Sequence, residues 1–171
     1  WHTYWSNPGD SGLATSIDWD LPAGFRAGTI QWPVPSAIPF SDLVNYGYEG
    51  EIYLLIDITP PADLNPNSTV HLKARADWLV CKEVCTPGDA ELELRLPTGS
   101  TAIIDPALTR VFEKARRLLP QTSTIKKATA RVDAGKLMLE LETPPMTFSR
   151  ATFFPYAEQL ISASGEQKIV A

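Results

Sequence analysis

The sequence predicts an all-β protein: a β-sandwich, one helix, and the opening strands of a second β domain. Three observations carry this. Several segments alternate apolar and polar residues with period two, the signature of a strand with one buried face. Fifteen prolines stand against ten glycines in 171 residues, and turn clusters separate the alternating runs at strand-like spacing. Only one segment has helical periodicity.

Taken in order, Trp1 to Trp5 is an aromatic strand, closed by the turn signal Asn7-Pro8-Gly9-Asp10-Ser11-Gly12. Short strands are expected at Ser16 to Leu21 and around Thr29 to Trp32. Gln31 to Phe40 holds Pro33, Pro35 and Pro39, so it is extended but not a central strand. Asn45-Tyr46-Gly47-Tyr48-Glu49-Gly50 reads as a loop with two exposed tyrosines. Glu51 to Ile58 alternates again, and Pro60 to Asn67 is a loop. Thr69 to Val80 is the longest run, with Val70, Leu72, Ala74, Ala76, Trp78 and Val80 apolar and His71, Lys73, Arg75 and Asp77 polar. Continuing that parity puts Cys81 on the wet face. Thr86-Pro87-Gly88-Asp89 turns the chain into Glu91 to Leu96, which has Leu92, Leu94 and Leu96 on one face.

Asp105 and Pro106 form an N-cap and first-turn pair, and Leu108, Val111, Phe112, Ala115, Leu118 and Leu119 mark one helical face before Pro120. β character returns at Thr124 to Val132 and at Lys136 to Glu142, with short strands expected at Thr152 to Pro155 and Lys168 to Val170. The helix is the natural boundary. It gives a first domain over 1–104, a connecting helix over 105–120 and a second, partial β domain over 121–171.

Bulk composition narrows the function. With 44% hydrophobic and 20% charged residues the chain is globular, not disordered. A net charge of -5 argues against a nucleic-acid surface, because phosphate binding needs a basic face. No apolar run approaches the roughly 20 residues that span a bilayer. The opening residues already read as strand, so the chain is expected to be a piece of a longer protein.

The only two cysteines, Cys81 and Cys85, sit together where the chain turns between two strands. Three readings stay open for them. A structural disulfide closing so short a loop stabilises by roughly 2 kcal/mol on the chain-entropy model, and a domain this size does not need it. Two thiolates with His2 and His71 form a conceivable zinc or copper(I) set, although the histidines are remote in sequence and no second paired motif supports them. A redox dithiol needs one thiolate that reaches a partner and a second thiol close enough to resolve the mixed disulfide, and a close pair at a strand-end turn supplies both. Lys82 favours the thiolate and Glu83 opposes it, so local charge does not fix reactivity. No serine nucleophile motif or phosphate-binding glycine loop occurs, and no cofactor is expected.

The stretch Ala76-Asp77-Trp78-Leu79-Val80-Cys81-Lys82-Glu83-Val84-Cys85-Thr86-Pro87 resembles the active-site segment of the periplasmic N-terminal region of DsbD-type protein-disulfide reductases. It is nearest to the ScsB branch, associated with copper tolerance. Trp1-His2-Thr3-Tyr4-Trp5-Ser6-Asn7-Pro8-Gly9-Asp10-Ser11-Gly12 resembles a second hallmark of that branch. The resemblance implies an immunoglobulin-like domain whose redox couple is Cys81 and Cys85. Cys85 would form the mixed disulfide and Cys81 would resolve it. Electrons would come from a membrane-embedded domain of the same polypeptide and leave to oxidised periplasmic thioredoxin-like or other thiol proteins. The chain would be the periplasmic, soluble part of an inner-membrane protein. A cap loop would shield the couple, with Asn45, Tyr46 and Tyr48 as the match and Tyr46 as the covering ring. Two departures stand out: the cysteines are closer together than in the DsbD branch itself, and Val44 and Asn45 stand where its cap carries an acidic residue. The competing class is a non-catalytic β-sandwich that binds a partner or copper, its cysteines structural or metal-ligating.

Overall fold

In the computed structural model, which describes residues 1–122, 124–145 and 150–169, ten strands and one helix form the regular structure of the described residues. Along the chain these are β1 (His2–Gly9), β2 (Ser16–Asp20), β3 (Arg26–Ala27), β4 (Ser36–Phe40), β5 (Leu43–Glu49) and β6 (Ile58–Thr59). They continue as β7 (Thr69–Cys81), β8 (Cys85–Pro97), α1 (Pro106–Arg117), β9 (Lys127–Asp133) and β10 (Lys136–Glu142). The alternation thus predicted the class correctly.

Six strands form one sheet in the order β2-β7-β1-β5-β4, with β8 antiparallel on β7. All thirteen residues of β7 pair with β8, so β2 and β1 share the other edge of β7. β2 takes Lys73 to Asp77, and β1 begins opposite Cys81. β4 lies at the edge of the sheet, the place that suits Pro39, whose ring has no N–H for a second neighbour.

Two expectations about the first half change. β1 does not stop at Asn7-Pro8-Gly9 but runs through them, with a register irregularity between Tyr4 and Gly9. Gly9 makes this possible: its φ is +86°, and a Cβ there would lie 2.6 Å from the Val44 carbonyl. Glu51 to Ile58, expected as a strand, contributes one bridge, Leu55 to Gln31, and the short β6. Its residues from Ile52 to Ile56 are all half-buried, so the alternation in composition has no matching alternation in exposure.

The core lies on one face of the sheet. Trp5, Tyr46, Tyr48 and Ala163 form its buried cluster, with Trp32, Val44, Ile52 and Phe154 packed against it. Trp5 meets Tyr46 edge-on at 6.4 Å, and Tyr46 meets Phe154 at 5.0 Å. Phe154 and Ala163 come from beyond the helix. Their segment is tied down by Asn7, whose Nδ2 donates to the carbonyls of Pro155 (2.8 Å) and Ala157 (3.2 Å), and by Asp10, which accepts from the Ala163 N–H at 3.1 Å. Thr152 to Pro155 is therefore not a strand; it serves by packing Phe154 and Pro155. Lys168 and Ile169 are also non-strand, and Val170 lies outside the described residues. β9 and β10 pair only with each other among the described residues.

α1 begins where expected, with Asp105 Oδ1 accepting from the Ala107 N–H at 2.8 Å and Pro106 in the first turn. It ends at Arg117, two residues before the expected Leu119. Ala115 is its one buried residue, and the Leu118 carbonyl accepts from the Val34 N–H at 3.0 Å.

Candidate functional site: a disulfide under a tyrosine

The β7–β8 ladder runs from Thr69 opposite Pro97 to Cys81 opposite Cys85. Lys82, Glu83 and Val84 close the hairpin, the Lys82 N–H reaching the Val84 carbonyl at 3.2 Å. The cysteines are thus direct cross-strand neighbours on the last rung. They are joined as a disulfide, with their Cα atoms 4.1 Å apart. A long alternating strand folded against a second one brings them together; no distant element is needed.

The two sulfurs are not equivalent. Cys81 is fully buried, whereas Cys85 is exposed. This corrects the expectation that strand parity leaves Cys81 wet. Parity holds from His71 to Arg75, but at Cys81 the chain meets β1, whose His2 stands directly opposite. Two residues on, Tyr4 projects to the same side and covers the sulfur.

Tyr4 is itself 1% exposed, and its hydroxyl donates to Cys81 Sγ at 2.8 Å. The same oxygen stands 3.8 Å from Cys85 Sγ. Burial raises the phenol above its usual pKa, so near neutral pH it stays a donor. Two contacts fix the ring, and Phe40 backs one of them. His2 meets it edge-on at 5.2 Å and meets Phe40 at 5.8 Å. Gly12, with φ +106°, lies so close that a Cβ there would overlap the Tyr4 ring. The loop that carries Gly12 is pinned by Asn45, whose Oδ1 accepts from the Ser11 N–H (3.2 Å) and hydroxyl (2.9 Å).

His2 is buried beside Asn45, its Nε2 3.4 Å from Asn45 Nδ2. Burial lowers its pKa below 6.5, so the imidazole is neutral at pH 7. The side of the sheet facing the disulfide is thus lined by groups that are polar but uncharged.

Asn45, Tyr46 and Tyr48 do not form an exposed cap loop. All three are buried in β5, between β1 and β4. Period-two alternation splits them. Asn45 faces His2 on the disulfide side, while Tyr46 joins Trp5 and Phe154 on the opposite face. Tyr48 is buried in the same core cluster, its hydroxyl donating to the Pro33 carbonyl at 2.7 Å. The glycine-tyrosine run that suggested a loop is instead a strand interior, where Gly47 allows β1 to approach: a Cβ there would collide with the Thr3 carbonyl. The aromatic ring that the β4–β5 hairpin brings to the disulfide side is Phe40, at the end of β4, where Ser41 and Asp42 turn the chain into β5.

The metal set with His71 is not assembled. His71 lies ten residues (81 minus 71) down β7 from Cys81, roughly 33 Å at strand rise, and pairs with Glu93 at 3.6 Å. No group of three or more His, Cys, Asp or Glu side chains able to hold a metal occurs among the described residues.

Tyr4, Gly12 and Phe40 were not singled out from the sequence as site residues, and His2 entered only as a conceivable metal ligand. The signal was available for two of them: alternation through Trp1-His2-Thr3-Tyr4-Trp5 puts His2 and Tyr4 on one face. What it lacked was the register that sets this strand beside Cys81.

Comparison with known proteins bears on the family and the fold. A family model described as thiol:disulfide interchange protein DsbD, N-terminal, matches residues 1–97. Among solved structures, the N-terminal periplasmic domain of ScsB from Proteus mirabilis is similar, with a TM-score of 0.61 and 24% sequence identity over 85% of this chain. The chain spans 54% of that structure's length, so the likeness speaks to the fold alone, which is immunoglobulin-like. No curated protein sequence matches the chain.

Proposed function

Since the chain belongs to the family of DsbD N-terminal domains, we propose that its Cys81–Cys85 couple carries electrons from a membrane-embedded domain of the same polypeptide to oxidised thiol proteins of the periplasm. Thiol–disulfide exchange is the family's chemistry, and the direction of electron flow is our reading of it. The periplasmic setting is supported by the ScsB neighbour, itself a periplasmic domain. No helix among the described residues is long and apolar enough to cross a membrane.

The observation that carries this reading is the asymmetry of the couple: one cysteine exposed, the other buried under a hydrogen-bond donor. In the reduced state the Cys85 thiolate attacks a partner disulfide, forming a Cys85–partner bond and releasing the partner's second sulfur as a thiolate. Cys81 then attacks Cys85 Sγ, closing the Cys81–Cys85 bond and expelling the partner's first sulfur. Two electrons have passed to the partner, and a donor dithiol restores the couple by the reverse steps. The Tyr4 hydroxyl stabilises negative charge on Cys81, the sulfur that must attack second. We assign the cap not to Tyr46 but to the Phe40–Leu43 turn, whose Phe40 ring packs on His2 beside the couple.

Cys81→Ser should trap a partner through Cys85 as a stable mixed disulfide, while Cys85→Ser should trap none. The couple's potential, read by alkylation in glutathione buffers, is expected between roughly -200 and -270 mV, whereas structural disulfides lie below about -300 mV. A couple that stays oxidised below that value, with no trapped partner, would sink the reading and leave a sandwich held by a structural bridge.

A further inference from the structure

We propose that the cleft between β1's Asn7–Gly12 end and residues 158–162 binds an organic cation, a guanidinium or ammonium group on an apolar stem, as at the tip of an arginine or lysine side chain. The cleft has a volume of about 470 Å3. It is a built feature, because its far wall is held in place by the hydrogen bonds of Asn7 to Pro155 and Ala157 and of Asp10 to Ala163.

The lining chooses the ligand's sign. Asp10 and Glu158 both face the space, and no lysine or arginine does. Burial alone would raise the Asp10 carboxyl, but hydrogen bonds from Val44, Ala163 and Ser164 hold it below the usual carboxylate range. Its charge is therefore present at neutral pH. Those same bonds occupy its oxygens, so Asp10 acts through its field rather than as a ligand atom. The carboxylate of Glu158, on an exposed residue, is the group able to bond the cation directly. This also argues against a metal ion, which would need several unoccupied ligand atoms at one point.

Tyr46 supplies the second observation. Its ring belongs to the core and also lines the cleft, yet its buried hydroxyl has no hydrogen-bond partner among the described residues. A polar oxygen left without a partner is costly, and an N–H donor arriving beside it would satisfy it. Ile161 and Pro8 offer the apolar surface for the stem. Gly12 both lines the cleft and lies against Tyr4, so its amide is a natural reporter of occupancy.

The test compares butylguanidinium with butylurea, which matches it in shape but not in charge, in titrations of the whole chain followed by amide NMR shifts. Saturable shifts at Ser11 and Gly12 are expected for butylguanidinium and none for butylurea. Glu158→Gln, a change on an exposed residue, should weaken binding about tenfold, the size of a lost charge-assisted hydrogen bond. Tyr46→Phe, which keeps the ring, should weaken it less. A capped Gly-Arg-Gly peptide binding more tightly than butylguanidinium marks a protein side chain as the source; weaker binding marks a free small cation. Either result supports the site. Equal binding of butylurea, unchanged binding in Glu158→Gln, or no saturable shift would overturn it. None of these outcomes depends on whether the cysteines exchange.

Discussion

β1 and β5 each present two faces, and the two faces are held by different physics. On one side, Trp5, Tyr46 and Tyr48 pack with Phe154 and Ala163. On the other, His2, Tyr4 and Asn45 stand over the disulfide. The first face relies on buried area: among the described residues, neither Trp5 Nε1 nor the Tyr46 hydroxyl has a partner. The second relies on direction, with the Tyr4 hydroxyl on Cys81 and Asn45 holding the Ser11 loop. A shift of one residue along the same strand thus separates stability from chemistry. Substitutions on the two faces should therefore fail in different ways.

The largest effect is expected on the packing face. Trp5→Ala removes a ring that is 3% exposed and touches Tyr46, Phe154 and Tyr156. Truncations of this kind cost about 3–5 kcal/mol, readable as a lower urea midpoint at unchanged slope. The reduction potential of the remaining folded protein should stay where it was. A potential that moves along with stability would break the comparison, because the faces would then not be separable.

The reverse is expected of Tyr4. Tyr4→Phe keeps the ring and deletes the donor to Cys81, so stability should change by about 1 kcal/mol. The rate at which Cys81 closes the disulfide should fall about tenfold, measured by release of a model partner from its Cys85 mixed disulfide at pH 7. Gly12→Ala sharpens the point. It leaves the hydroxyl in place but forces the ring aside, and it adds a side chain at φ +106°. It should slow closure in the same direction and also cost stability, on the order of 1–3 kcal/mol. Unchanged closure in both variants would reduce Tyr4 to packing.

The contrast between the faces also explains what the sequence disclosed. The β7–β8 hairpin was legible because its pattern is local, alternation over Thr69 to Val80 and Leu92, Leu94 and Leu96 beyond a turn; the turn itself falls at Lys82 to Val84, whereas Thr86 to Asp89, expected to turn the chain, pair with Asp77 to Val80 in the ladder. The cysteine pair and α1 were legible for the same reason. Long-range register was not. Nothing in Cys81's neighbourhood states that His2 pairs with it, so Cys81 was read as wet and is buried. Tyr46 failed from the opposite cause, since glycine and tyrosine in alternation suit a loop or a closely packed strand equally. Asn7 and Asp10 carry turn chemistry in sequence, yet they spend it tying down residues 155–163, more than 140 positions away.

The smallest effect is a pH dependence that tells the faces apart. His2 in an unfolded chain takes up a proton near pH 6.5; in the fold its pKa is lower, first because it is buried and next because of the N-terminal ammonium, with Glu49 opposing. Between those two values the unfolded state binds more protons, so stability rises with pH through the window and is lost on acidification from about pH 6.5. Asp10 titrates separately. Its carboxyl lies below the ordinary value of 3.8, so its contribution is intact above that pH and disappears as pH falls through the folded value. Urea midpoints should accordingly drop in two steps, one setting in on acidification from about pH 6.5 and one below about pH 4. His2→Gln should abolish the first step and keep the second, because Gln is neutral throughout and Asp10 ties the packing face. If the first step survives in His2→Gln, the neutral imidazole is not what the disulfide face requires, and the charge sensitivity lies elsewhere in the sheet.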